Sequence, residues 1–211
     1  SPFNTTTHKT EWTCAAKLSE WINTIVKEKN LKLGKAEVET TIEGDRKRVD
    51  VVIFESPSIS KVLCVIEMKQ PYFDPFDVKE LKEPAREKAT KRKAKYFVTS
   101  NFKRLIWFNT ERVNKNLPEE EQIHDKYLLS EIEDLDLIEE AKYKNRIIAG
   151  LEQFLTDLYE VHKGKKPEPP QPIDEFLIFR LQEKIKTVSY YYRRIIEDIT
   201  HKDPDFSKKL Q

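Results

Sequence analysis

Two acidic residues and a lysine stand at the ends of two consecutive apolar segments. Asp50 lies in the first segment, 49–54, and the triplet Glu67-Met68-Lys69 closes the second, 61–69. Val and Ile dominate both segments, which is typical of β-strands, and a hairpin of the two would bring the carboxyl groups close together. Neighbouring carboxylates favour Mg²⁺, a hard cation that binds oxygen ligands and also holds phosphate oxygens. The pattern therefore predicts metal-assisted hydrolysis of a phosphodiester bond.

The lysine of the triplet completes this chemistry. Alternation along a strand would place Glu67 and Lys69 on one face and Met68 on the other, so that the ammonium can reach the attacking water or the scissile phosphate. We predict that Asp50 and Glu67 hold Mg²⁺, with Mn²⁺ as a substitute, and that Met68 adds its backbone carbonyl as a ligand. Lys69 then helps to activate the water. Gln70 either orients the substrate or simply ends the strand.

An Asp followed by Glu-x-Lys resembles the core motif of the PD-(D/E)XK nuclease superfamily, with Val49 in place of the usual proline before the acid. The resemblance implies an α/β (α+β) fold, in which helices flank a mixed central sheet in the order α-β-β-β-α-β. The predicted elements follow that order: a helix capped by Thr10, strands at 35–42, 48–54 and 61–69, a helix over about 77–93, and strands at 96–100 and 105–108. Beyond Arg112, long amphipathic helical stretches are expected as a C-terminal extension, one of which buries Ile147, Leu151, Phe154, Leu155 and Leu158.

A second resemblance lies in residues 95–110, which are similar to the strand pair after the active site in N-terminal nuclease domains of type I restriction subunits and fused restriction-modification enzymes. It implies a DNA endonuclease that acts as the cleavage module of a restriction-modification enzyme. Its substrate would be double-stranded DNA, and its partner a methyltransferase and specificity region on the same or another chain. The chain departs from the family where Pro84 and Lys88 replace a Gln and a Tyr, a change that we expect to leave the core chemistry untouched.

The superfamily often adds a glutamate from the first helix, and two residues compete for that place. Glu20 precedes apolar pairs, as in the family pattern, and is the preferred candidate. Glu11 lies on the apolar face of the predicted helix near its N-terminus, where the helix dipole also stabilises an acid. The sequence leaves both possibilities open.

Charge and composition limit how the chain can bind DNA. Among 211 residues, 38 Lys and Arg balance 37 Asp and Glu, so the net charge is only +1 and DNA affinity must come from local patches. Basic patches of this kind are plain solvated surface as often as they are DNA contacts. The candidate DNA contacts are Arg46, Lys47, Arg48, Gln70, Lys91, Arg92 and Lys93. We see no zinc-ligand spacing, glycine-rich phosphate loop, membrane span or secretory segment, and we expect a cytoplasmic protein without a membrane partner.

The domain organisation is predicted from composition. Residues 1–162 would form the endonuclease domain with its packed helical extension, 163–172 a proline-rich linker, and 173–211 a further helical segment. The first residue is Ser1, which is compatible with a piece of a longer polypeptide whose last helix meets a missing domain. Two alternatives stay open: a stand-alone repair or junction-resolving nuclease, and a catalytically silent nuclease-fold module that only binds DNA or protein.

Overall fold

The computed structural model of the chain describes residues 10–40, 49–166 and the helical residues 185, 188, 189, 191–196 and 199. The strands are β1 (Ala36–Thr40), β2 (Val49–Ser56), β3 (Ile59–Met68), β4 (Tyr96–Ser100), β5 (Arg104–Asn109) and β6 (Ile123–Leu128). The α-helices are α1 (Glu11–Glu28), α2 (Glu83–Lys91), α3 (Thr110–Asn114), α4 (Glu119–Gln122) and α5 (Ala141–His162). A π-helical segment, Val78–Lys82, precedes α2, and a 3₁₀ turn, Leu135–Leu137, precedes α5.

One mixed sheet of six strands, in the order β1 to β6, forms the centre of the fold. Strands β3 and β4 are parallel, whereas all other neighbouring strands are antiparallel. A parallel pair needs a crossover connection, and the π-helical segment with α2 supplies it. The predicted fold class and its α-β-β-β-α-β order are therefore confirmed.

Helices α1 and α5 cover one face of the sheet. Thr10 caps α1, since its side-chain oxygen accepts a hydrogen bond from the backbone N–H of Thr13. The predicted apolar face of α5 is buried, and it packs in the larger core with buried side chains of α1 and of the strands. Strand β6 was not predicted, because its sequence falls in the region expected to be helical; residues 123–128 instead form the edge strand beside β5.

Helix α2 covers the other face of the sheet. Its Ala85 and Ala89 pack against Val65 and Phe97 in a second, smaller core. The predicted helix over 77–93 is divided, because Pro84 lacks an N–H and its ring would clash with a carbonyl of the preceding turn. The wider π-helical turn before it avoids that conflict, and the backbone N–H of Lys82 donates to the carbonyl of Asp77 at 2.9 Å.

The chain divides into two compact units, 1–169 and 170–211. In the second unit the described large apolar side chains are exposed: Ile185, Val188, Tyr191, Tyr192, Ile195, Ile196 and Ile199. Residues 167–172 of the predicted linker lie outside the described part of the chain, and the predicted domain boundaries stay predictions. Among the described helices, none is long and apolar enough to cross a membrane.

Candidate active site

The register of strands β2 and β3 places Asp50 directly opposite Glu67. The register shifts of this strand pair all lie further along β2, at Ile53 and beyond, so the pairing around the two acids is regular. Glu67 is 2% exposed, which is rare for a carboxylate and requires compensation by a positive partner. The side chain of Asp50 lies outside the described residues. The backbone nonetheless brings the two acids together, as the sequence predicted.

Lys69 follows immediately after strand β3, which ends at Met68. Its backbone N–H donates to the carbonyl of Ser100 at 3.0 Å, and this bond holds it beside the end of β4. Its ammonium lies 3.9 Å from a carboxylate oxygen of Glu11 and 6.0 Å from the ring centroid of Phe73. The ammonium of Lys69 thus contacts the first turn of α1, and its placement on the same face as Glu67 stays a prediction.

The two candidate glutamates of α1 have different surroundings. Glu20 has a side chain that is 64% exposed and lies 3.5 Å from Lys17, which also pairs with Glu139 at 3.2 Å. Nine positions separate Glu20 from Glu11, which at 3.6 residues per turn puts them on opposite sides of the helix. The structure therefore brings Glu11 to Lys69, and it does not bring Glu20 there.

A second lysine reaches this site from α2. The ammonium of Lys88 forms an ion pair and hydrogen bond with Glu67, and the two side chains are only 13% and 3% exposed. Lys88 is one helical turn after the buried Pro84, so it projects from the side of α2 that packs on the sheet. The departure at this position therefore places a lysine on the central carboxylate, and the expectation that it leaves the core chemistry untouched stays a prediction.

Residues at the end of β4 anchor the loop that follows Lys69. Thr99 donates its hydroxyl hydrogen to the carbonyl of Pro75 at 2.7 Å, and the side-chain amide of Asn101 donates to the carbonyl of Phe73 at 2.8 Å. Thr99 is itself the parallel partner of Glu67 in the sheet. Residues 99–101 were predicted only as a strand with a family likeness. The structure gives two of them a positioning role in the loop 70–77.

The predicted DNA contacts are distributed unevenly. Arg46, Lys47 and Arg48 lie outside the described residues, and Gln70 belongs to the loop after Lys69, where its carbonyl accepts from the N–H of Phe73. Lys91 is the last residue of α2, and Arg92 and Lys93 follow it. Because α2 returns from the end of β3 to the start of β4, these three residues lie towards the opposite end of the strands from Lys69. Their contact with DNA stays a prediction.

The donor atoms at this site suit one particular kind of cation. Glu67 offers a buried carboxylate, and the residue opposite it in the register is a second acid, so the ligands are oxygens. Among the side chains that the structure describes, which exclude that of Asp50, no three His, Cys, Asp or Glu residues form a cluster able to hold a metal. Where Mg²⁺ binds phosphates in proteins, its protein ligands are typically one or two carboxylates, and it keeps several waters. Glu67 and the opposing Asp50 fit this set of ligands.

Comparison with known proteins gives one match. No protein-family model matches the chain, and no curated protein matches it. Among solved structures, the chain is similar to the crystal structure of the type IIG restriction endonuclease BpuSI, with a TM-score of 0.48 and 13% sequence identity. The match covers 73% of this chain and 17% of the BpuSI chain. The aligned region is thus a small part of that enzyme.

Proposed function

We propose that this chain is a Mg²⁺-dependent DNA endonuclease domain. The observation that carries the proposal is the register in which Asp50 stands directly opposite Glu67. Residues opposite each other in an antiparallel pair share a face, with Cβ atoms about 4.5–5.5 Å apart. Two carboxylates at that separation can bind one cation between them.

Each residue of the site has a distinct task in this reaction. Glu67 and Asp50 supply the carboxylate ligands, and Met68 adds its backbone carbonyl. Mg²⁺, with Mn²⁺ as a substitute, would orient the scissile phosphate, make a water more acidic and neutralise the charge that develops during the reaction. The residues around the ligands hold the geometry: Thr99 and Asn101 fix the loop behind Lys69.

Lys69 acts on the phosphate and the attacking water. Its side chain is 20% exposed, and the ion pair with Glu11 limits the orientations of its ammonium. An ammonium has three hydrogen-bond donors. Lys69 donates to a non-bridging phosphate oxygen and orients the water for in-line attack.

The test is cleavage of supercoiled plasmid with Mg²⁺ or Mn²⁺. Asp50→Asn, Glu67→Gln and Lys69→Ala should each lower the rate by about a hundredfold or more, as is typical when one electrostatic contact to the reacting group is lost. The matched control is Lys61→Ala, which removes a lysine from the exposed start of the same strand, where it pairs with Glu55 at 3.3 Å. Equal loss of activity in the control, or full activity in Asp50→Asn, would contradict the proposal.

We further propose that the chain is the cleavage module of a restriction-modification enzyme, whose methyltransferase and specificity region lies on the same or another chain. The support is the resemblance of residues 95–110 to such enzymes. Cleavage of plain duplex DNA at many unrelated sequences would agree with a module separated from its specificity region. Cleavage confined to branched or damaged DNA would favour a repair or junction-resolving nuclease, and DNA binding without cleavage would favour a silent module.

A further inference from the structure

The contact between Lys88 and Glu67 means that the Lys88 ammonium and the proposed divalent cation compete for one carboxylate. Glu67 is the residue to which the proposed function assigns the divalent cation, and in this structure Lys88 binds one of its oxygens. A carboxylate that is 3% exposed cannot replace that partner with bulk water. A divalent cation that binds Glu67 must therefore share the carboxylate with the ammonium or displace the ammonium.

The position of Lys88 allows such an exchange. Its helix is fixed on the sheet by the buried Pro84, Ala85 and Ala89, so the Cα of Lys88 is held in place. The side chain itself is a flexible stem that carries a compact charge, and it keeps 13% of its surface exposed. An ammonium released from Glu67 can therefore turn towards the solvent side of the site, where DNA would bind.

Resting on the proposed nuclease function, we propose that Lys88 is a second lysine of the active site, which neutralises Glu67 in the absence of a divalent cation and binds a DNA phosphate once the cation has displaced it. The phosphate oxygen is a suitable new partner, because lysine binds phosphates as a point charge. Glu67 and Lys88 then each have a partner of opposite charge both without and with the divalent cation. Lys88 is in this role a positioning residue for the DNA, and Lys69 stays the residue that acts on the attacking water.

A purely structural role for Lys88 makes the opposite prediction for cation binding. If Lys88 only held Glu67 in place, its removal would disorder the carboxylate and weaken the binding of a divalent cation. If Lys88 competes with the cation, its removal strengthens that binding. The sign of the change separates the two roles.

The experiment measures Mn²⁺ binding by titration calorimetry on the full chain, with Lys88→Gln, Lys88→Arg and the control Lys61→Gln. We expect Lys88→Gln to bind Mn²⁺ about thirtyfold more tightly, the factor for a unit charge about 4 Å from a divalent cation at the dielectric constant of water. Lys88→Arg and Lys61→Gln should stay close to the wild type. Equal or weaker binding by Lys88→Gln would overturn the proposal.

The proposed contact between Lys88 and a DNA phosphate is tested by the salt dependence of duplex binding, measured with Ca²⁺ in place of Mg²⁺. Loss of one phosphate contact should reduce the slope of log affinity against log salt by about 0.9 in Lys88→Gln, whereas Lys88→Arg should restore it. An unchanged slope in Lys88→Gln would show that Lys88 does not contact the phosphate backbone.

Failure of this inference is distinguishable from failure of the nuclease proposal. If wild-type protein binds no Mn²⁺, or Glu67→Gln binds it as well as the wild type does, the proposed function itself is wrong and the role of Lys88 falls with it. Should Lys88→Gln fail to fold, nitrogen-detected NMR of the wild-type lysine ammonium groups replaces it. The Lys88 signal should then shift on addition of Mg²⁺ while that of Lys61 does not, and an unmoved Lys88 signal would overturn the proposal.

Discussion

Glu11 at the start of helix α1 forms an ion pair with Lys69, 3.9 Å from carboxylate oxygen to ammonium nitrogen. The pair links the first turn of a helix to a residue just beyond the end of β3. The pair limits the orientations of the lysine side chain, and Glu11 rather than Glu20 is the acid of α1 that contacts it.

Replacement of Glu11 tests that task. Glu11→Gln should lower the rate of DNA cleavage by roughly fivefold, because a partly exposed ion pair contributes no more than about 1 kcal/mol. Glu20→Gln is the matched comparison on the same helix, and it should leave the rate unchanged. The measurement is kcat for a short labelled duplex. A larger loss in Glu20→Gln than in Glu11→Gln would restore Glu20 as the functional acid.

Removal of the loop anchor at Thr99 should loosen the loop 70–77 and slow DNA cleavage. Thr99→Val keeps the shape of the side chain but leaves the carbonyl of Pro75 without its donor, at a cost of about 1–3 kcal/mol. We expect faster limited proteolysis in the loop 70–77 and slower DNA cleavage. The control is Thr90→Val on the exposed end of α2. Unchanged proteolysis of this loop in Thr99→Val would refute the anchoring role.

The close approach of α5 to the sheet depends on Gly150. A Cβ at this position would lie 2.7 Å from a methyl group of Leu129 and 2.8 Å from the carbonyl of Leu128. Gly150→Ala should therefore lower the free energy of unfolding by about 1–3 kcal/mol, as overpacking does, although alanine favours helices. Urea denaturation measures this, with Ala149→Ser on the exposed neighbour as the control. A higher free energy of unfolding in Gly150→Ala would show that α5 can move away from the sheet, and would contradict this prediction.

Alkaline pH should destabilise the fold through Cys64. Complete burial raises the pKa of this thiol far above its usual value, so the folded protein keeps a proton that the unfolded chain releases. The stability is fully present below about pH 9 and then falls by about 1.4 kcal/mol per pH unit for this one group. Burial and the nearby Asp157 raise the pKa of Tyr127 as well, which adds to the loss at higher pH. Urea denaturation against pH should show a shallower fall in Cys64→Ala, and an equal fall would contradict this assignment.

Local sequence patterns were sufficient to predict the helices and strands in the central part of the fold. Thr10 and the apolar spacing after it identify α1, and the Val-rich segments around Asp50 and Glu67 identify β2 and β3 as strands that pair. These elements depend on residues close together in sequence, and the sequence therefore contains the signal. The register does not follow from it, because two register shifts lie between the turn at Pro57-Ser58 and the acids, and they bring Asp50 opposite Glu67.

The contacts that complete the site depend on residues far apart in sequence. Lys88 reaches Glu67 across 21 positions, and Thr99 reaches Pro75 across 24. Such pairs need the crossover geometry of α2 and β4, which no local pattern specifies. One signal was present for Lys88: it stands where the nuclease domains that the sequence resembles have a Tyr, but we expected no role for it in the site. Strand β6 was missed because its polar sequence lacks the apolar alternation of a half-buried strand.

The central claim is that Asp50 and Glu67 together bind the divalent cation, and anomalous diffraction from crystals grown with Mn²⁺ tests it most directly. We predict an anomalous peak about 2.0–2.2 Å from a carboxylate oxygen of each residue, and its loss in Asp50→Asn. A peak elsewhere in the chain, or metal-dependent cleavage by a protein whose crystals show no peak between these two acids, would contradict it.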